Sequence, residues 1–156
     1  MVSNPGCYPT AALLALKPLL DAGILLPDAD IIVDAKSGVS GAGKTPTERT
    51  HFSEVHASLS AYGVLHHRHG AEIEQGVGGE VTFTPHLLPI DRGILETIYV
   101  RVKPGTTEAD LGDIYERVYR DATFIRVVGS ALPESSTWRT RTSATSAGGS
   151  TRPAGS

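Results

Sequence analysis

The run from Ile94 to Val102, Ile-Leu-Glu-Thr-Ile-Tyr-Val-Arg-Val, constrains the fold more than any other stretch. It is rich in β-branched and aromatic residues and alternates in character, so it reads as a strand that needs partners for its backbone groups. A second alternating run, Glu80 to Thr84, precedes it across the short, turn-rich link Pro89-Ile-Asp-Arg-Gly93, so the two strands are expected to be antiparallel neighbours. Ile31 to Ala35 is a third, β-branched run, expected to be a buried strand, and Phe124 to Val128 reads as a last one.

Helical signals fall between these runs. Pro9-Thr10 opens a stretch of strong helix formers, Ala11 to Lys17, which Gly23 ends and Pro18 is expected to kink or shorten. Residues 107–119 place Leu111, Ile114, Tyr115 and Val118 on one helical face, with acids at the start to complement the dipole. Residues 49–62 suggest a short helix within loop, and residues 72–76 another helical piece. The fold class is therefore α+β: a mostly antiparallel or mixed sheet covered by helices on one face. Residues 133–156 differ in kind. They contain no Leu, Ile, Val or Phe, and a segment so poor in apolar surface is expected to be disordered.

Composition narrows the function classes. A chain of 156 residues with 40% hydrophobic and 20% charged residues suits one soluble domain. A net charge of −3 gives no electrostatic case for nucleic acid or an anionic membrane surface. The longest apolar stretch, residues 11–16, falls far short of the roughly 18 residues of a membrane span. Cys7 is the only cysteine, which excludes an internal disulfide and fits a reducing, cytoplasmic setting. The expected partner is a small-molecule substrate.

Cys7 sits in Asn4-Pro-Gly-Cys-Tyr-Pro-Thr10, directly before the first helix. A helix N-terminus carries partial positive charge and unpaired N–H donors, which favour a thiolate and aim donors at a developing oxyanion. Gly6 lets the backbone approach a substrate, and two prolines stiffen the loop. The alternative is a buried, inert cysteine. A second concentration is His66-His-Arg-His69, where His67 and His69 would share one side of an extended segment and supply an acid/base near neutrality. Glu72 follows three residues after His69 and is placed to orient it if a helix begins there. A solvated surface cluster is the plain alternative. A zinc site from Cys7, His67 and His69 lacks both paired-cysteine spacing and a His-Glu-x-x-His pattern, so no metal is expected.

Gly38-Val-Ser-Gly-Ala-Gly-Lys-Thr45 spells a phosphate loop after a strand, with Lys44 in the phosphate-binding place. Pro46 follows, with no clear amphipathic helix and no later strand ending in a magnesium-binding Asp. The match is read as a tight Gly-rich loop, with a nucleotide-binding module as the alternative.

Several stretches taken in order resemble N-acetyl-γ-glutamyl-phosphate reductase, of the semialdehyde dehydrogenase superfamily: residues 4–14, residues 37–44, His67-Arg-His69 with Glu72-Ile-Glu-Gln75, and Phe83-Thr-Pro-His-Leu-Leu-Pro89 with Arg92-Gly-Ile-Leu95. Gly70-Ala71 departs from the family, which more often has Pro before the Glu. The resemblance implies a sheet-and-helix fold like the catalytic domain of semialdehyde dehydrogenases, over residues 1–132, and a homo-oligomer for the intact family enzyme. It implies arginine biosynthesis: Cys7 attacks the acyl phosphate to give a thioester, NADPH reduces it to the semialdehyde, and His69 moves the proton. His67, Glu72 and Arg92 are supporting or substrate-binding candidates, Arg92 for a carboxylate or else in a structural salt bridge. No Gly-x-Gly-x-x-Gly follows a strand, so no NADP-binding residue is assigned. The expectation is a catalytic domain without its N-terminal NADP-binding domain, inactive alone as a reductase. The resemblance stops near Glu134, which a one-base displacement of the reading frame would explain and the nucleotide sequence would decide. A Cys-His hydrolase or acyltransferase working without nucleotide is the remaining alternative.

Overall fold

The computed structural model describes residues 4–133 and the backbone of residues 144–146. Helix α1 (Cys7–Asp21) leads into β1 (Ile31–Gly38), followed by the short helix α2 (Phe52–Val55), β2 (Ser60–Ala61), α3 (Arg68–Val77), β3 (Val81–Leu88), β4 (Ile94–Tyr99), α4 (Glu108–Tyr119) and β5 (Ile125–Val127). The main sheet has the order β2-β3-β1-β4; β1 runs parallel to β3 and antiparallel to β4, and β2 is antiparallel to β3. It is the mixed sheet expected. Val33, Ala35 and Phe83 turn to one face, where they pack against Tyr8, Ala12 and Leu16 of α1 and Ile73 of α3. Leu19 of α1 meets Leu111, Ile114 and Tyr115 of α4 in a second cluster. Helices thus cover one face.

The direct pairing expected of the runs Glu80 to Thr84 and Ile94 to Val102 is corrected: β1 lies between β3 and β4. The link at residues 89–93 does not close a hairpin but passes over the end of β1. Gly38 N–H donates to Gly93 O (2.9 Å), Val39 N–H to Ile90 O (2.8 Å) and Ser40 N–H to Asp91 O (2.9 Å). Only glycine fits beneath this crossing, since a Cβ at residue 38 would lie 2.7 Å from Arg92 N and 2.9 Å from Ile90 O.

Helix α1 starts at Cys7, two residues earlier than Pro9 suggested, and it continues through Pro18. Proline has no N–H to offer the Leu14 carbonyl one turn back. Two tyrosines of α4 repair that turn: Tyr119 Oη donates to Leu14 O (2.6 Å) and Tyr115 Oη to Ala15 O (2.7 Å). Tyr119→Phe should therefore cost about 1–3 kcal/mol by stranding a carbonyl, read as a lower urea midpoint. Gly23, at φ +65°, follows the helix as expected. Helix α4 opens with a capping box between Thr107 and Asp110. Its Val118 is largely exposed, and the inner face is completed by Tyr119 instead. Of the expected tail, residues 144–146 form a short strand, β6 (Ala144–Ser146), parallel to β5; residues 134–143 and 147–156 lie outside the described residues.

Candidate active site

Two helix starts meet at the site. Gly6 is the N-cap of α1, extended at φ −63° and ψ 153°, and Cys7 is the first helical residue, with an exposed side chain. The N–H groups of Cys7 and Tyr8 have no partner along the helix, and Pro9 has none to offer. Helix α3 starts at Arg68, so the histidines do not lie on an extended segment. His67 is its N-cap, and His69 sits in the first turn. The two rings are still neighbours, with centroids 4.7 Å apart.

Glu72 joins the two starts. Its Oε1 accepts the Gly6 N–H at 2.9 Å. The expectation was that this carboxylate would orient His69; it fastens the cysteine loop to α3, and acts on His69 only as a nearby negative charge. The His69 ring packs against the same glycine. A Cβ on Gly6 would stand 2.7 Å from His69 Nε2 and 2.9 Å from Glu72 Oε2. Gly6, one residue before Cys7, therefore makes room for the imidazole and carboxylate more than for an approaching substrate. His69 Nδ1 is buried without a partner among the described residues, and Nε2 is the nitrogen turned toward the cysteine loop.

Aromatic rings wall this group. Tyr8 packs edge-on against His67, His69 and Phe83, with centroids 5.7, 5.9 and 5.3 Å away, and Tyr62 packs against His67 at 5.5 Å. The Tyr8 and Tyr62 hydroxyls share a 2.8 Å hydrogen bond. Burial raises both phenols, for Tyr8 with help from the Tyr62 bond, so neither is a proton acceptor near neutrality. This pair, 54 residues apart in sequence, was missed from the sequence, where no local pattern marks it. Burial lowers His69 below the usual histidine range, Arg68 adds to this, and Glu72 opposes it. Burial, then His69 and Arg68, lowers His67 likewise. Both imidazoles are thus neutral at pH 7, the form that accepts a proton.

Arg92 is not part of this group. It is exposed on the turn over β1 and pairs with Asp91 at 3.6 Å. No cluster of three or more potential metal ligands occurs among the described residues. The phosphate-loop spelling does not form a phosphate cradle: the amides of Gly38, Val39 and Ser40 are spent on the crossing link, and Gly43 N–H bonds Ser40 O. Only a three-residue 3-10 turn (Glu48–Thr50) comes next after Thr45, where such a loop needs a long helix.

Among the described residues no other glycine-rich turn leads from a strand into a helix, so they hold no phosphate-binding turn of the dinucleotide-domain kind for NADP. No described helix is long and apolar enough to cross a membrane.

Comparison with known proteins agrees with the fold. The model of the semialdehyde dehydrogenase dimerisation domain matches residues 7–148, running past Glu134. The chain is 52% identical over 134 residues to the N-acetyl-γ-glutamyl-phosphate reductase of Rhodospirillum rubrum, covering 82% of this chain and 38% of that protein. It is 47% identical over 133 residues to the protein of the same name from Staphylococcus saprophyticus, covering 81% and 38%. The chain thus spans about two fifths of the length of these curated relatives. Among solved structures it resembles a probable aspartate-semialdehyde dehydrogenase from Pseudomonas aeruginosa (TM-score 0.67, 19% identity, 94% of this chain and 51% of that one). It also resembles the Candida albicans aspartate semialdehyde dehydrogenase, solved with NADP (TM-score 0.56, 13% identity, 83% and 42%). At these identities the likeness shows the fold.

Proposed function

The chain belongs to the semialdehyde dehydrogenase family, through its dimerisation domain, and from that membership we propose that Cys7 and His69 carry the acyl-transfer step of an N-acetyl-γ-glutamyl-phosphate reductase. The observation that carries this reading is the seating of His69 Nε2 against Gly6, one residue before an exposed cysteine at a helix start. The Cys7 sulfur attacks the acyl carbon of the acyl phosphate. A C–S bond forms, the C–O bond to phosphate breaks, and orthophosphate leaves with that electron pair. The thiol proton passes to neutral His69 Nε2. The N–H groups of Cys7 and Tyr8 point out of the first turn toward the oxyanion that develops. Glu72 holds the loop and the helix together while this happens. The described residues hold no glycine-rich phosphate turn for NADP, and no hydride step is assigned to them. The N-acetyl-glutamyl substrate is taken from the names of relatives 47% and 52% identical.

In the absence of nucleotide, mixing the chain with N-acetyl-γ-glutamyl phosphate should release about one orthophosphate per chain in a burst, because the thioester then waits. Cys7→Ser should release none. Continuous release would favour a hydrolase, and no release from the parent chain would overturn the reading. The sheet face that no described helix covers carries Asp34, with Lys36 and His86 paired to it, and exposed Ile32 and Tyr99 near its edge. As the contact between two copies, it should give a dimer in sedimentation; a monomer at high concentration would contradict that.

A further inference from the structure

His67 takes part in no step of this chemistry, yet it sits at the centre of the ring cluster. Its ring touches Tyr8, Tyr62, His69 and Phe83, at centroid distances of 5.7, 5.5, 4.7 and 5.6 Å. Its Nδ1 accepts the backbone N–H of His69 at 3.1 Å, and its carbonyl accepts the Gly70 N–H at 2.8 Å. The residue that caps α3 therefore holds, by its side chain, the backbone of the proposed proton acceptor. We propose that His67 is a positioning residue: its neutral Nδ1 caps α3 and fixes His69 beside Cys7, and protonation of His67 releases both. This rests on the acyl-transfer reading above.

An imidazole nitrogen that accepts a hydrogen bond is unprotonated, so the cap exists only in the neutral ring, in the tautomer carrying its proton on Nε2. Protonation turns Nδ1 into a second donor facing the donor of His69. The groups around His67 offer a cation nothing. From α1 comes the neutral Tyr8, from the loop after β2 the neutral Tyr62, from β3 the hydrocarbon ring of Phe83, and from α3 Arg68 and His69. The Glu72 carboxylate on α3 is bonded to Gly6 N–H. Asparagine at the N-cap accepts the same kind of N–H without titrating. Phenylalanine keeps an aromatic ring but cannot accept.

The test reads the cap itself as well as the chemistry. In the intact chain, nuclear magnetic resonance follows the His69 amide and the His67 ring through an acid titration, beside His67→Asn and His67→Phe. The His69 amide should titrate with the His67 ring, and in His67→Asn that transition should disappear. The orthophosphate burst at pH 7.5 should slow roughly tenfold in His67→Phe, about the effect of losing a good cap. His67→Asn should recover most of that rate. Its burst should also fall off with one fewer proton on the acid side than in the parent chain. A His69 amide indifferent to the His67 ring, or a His67→Phe burst equal to the parent's, would overturn the proposal. A parent chain with no burst sinks the acyl-transfer reading alone; the amide titration then decides the positioning role.

Discussion

Glu96→Gln should make the folded chain markedly more stable at pH 8, and should flatten a fall in stability that the parent shows as pH rises. Glu96 lies on β4 opposite Ala35, so it points to the helix-covered face that also carries Val33 and Phe83. Both carboxyl oxygens are buried without a partner among the described residues, and burial pushes the group from 4.5 to about 8. Between those values the folded chain holds a proton that the unfolded chain has released, so the unfolded state binds fewer protons and stability drops as pH rises. A shift of that size corresponds to about 5 kcal/mol over the whole window, as an order of magnitude. The penalty is absent below the unfolded value and fully present above the folded one. His67 and His69 act in the opposite sense: their lowered folded values mean that stability is lost as pH falls below the ordinary histidine range. They are common to both proteins, so the difference between Glu96→Gln and the parent isolates the carboxylate. Urea unfolding at pH 5, 6.5 and 8 reads it directly; an unchanged difference across the three would mean that Glu96 is ionised in the fold.

The second large effect is at Gly6. Alanine is compatible with its φ of −63°, so the backbone does not object. Its methyl group would fall 2.7 Å from His69 Nε2 and 2.9 Å from Glu72 Oε2, both at the ends of side chains that can swing away. The fold should survive with a modest loss, on the order of 1 kcal/mol, chiefly from the Gly6–Glu72 contact. The imidazole cannot stay where it is. Displacing a catalytic group by about 1 Å costs on the order of 100-fold, so the burst rate of Gly6→Ala should fall by that factor while its melting temperature changes little. A variant within a few-fold of the parent would mean that the close packing of His69 on Gly6 has no part in the chemistry.

Much of this site was legible in the sequence because its signals are local. The prolines and glycine around Cys7 mark a helix start, and the helix does begin there. His67, His69 and Glu72 fall within six residues, and a helix start is enough to gather them. What the sequence hid depends on distant contacts. The bond from Gly6 to Glu72 spans 66 residues, so nothing in either neighbourhood announces that the carboxylate serves the loop rather than the histidine. The link at residues 89–93 has the composition of a hairpin turn, and only the insertion of β1 shows that it is a crossing. The same crossing consumes the amides that the phosphate-loop spelling promised, a reminder that such a loop is a matter of free N–H groups and not of letters. The inward turn of Glu96 is hidden for a different reason. In the alternating run both faces carry apolar residues, so periodicity alone does not say which side turns inward. Pro18 looked like a break because its repair comes from two tyrosines about a hundred residues further along the chain.

In the proposed mechanism one imidazole, held against Gly6, takes the proton from the sulfur that accepts the acyl group. Intact-mass spectrometry after rapid acid quench, with N-acetyl-γ-glutamyl phosphate and no nucleotide, follows that event on the single cysteine of the chain. The account requires an N-acetylglutamyl adduct on Cys7 in the parent, formed roughly 100-fold or more slowly in His69→Asn, the range for losing a positioned proton acceptor. An adduct that appears equally fast without His69, or one that forms on a residue other than Cys7, would contradict it.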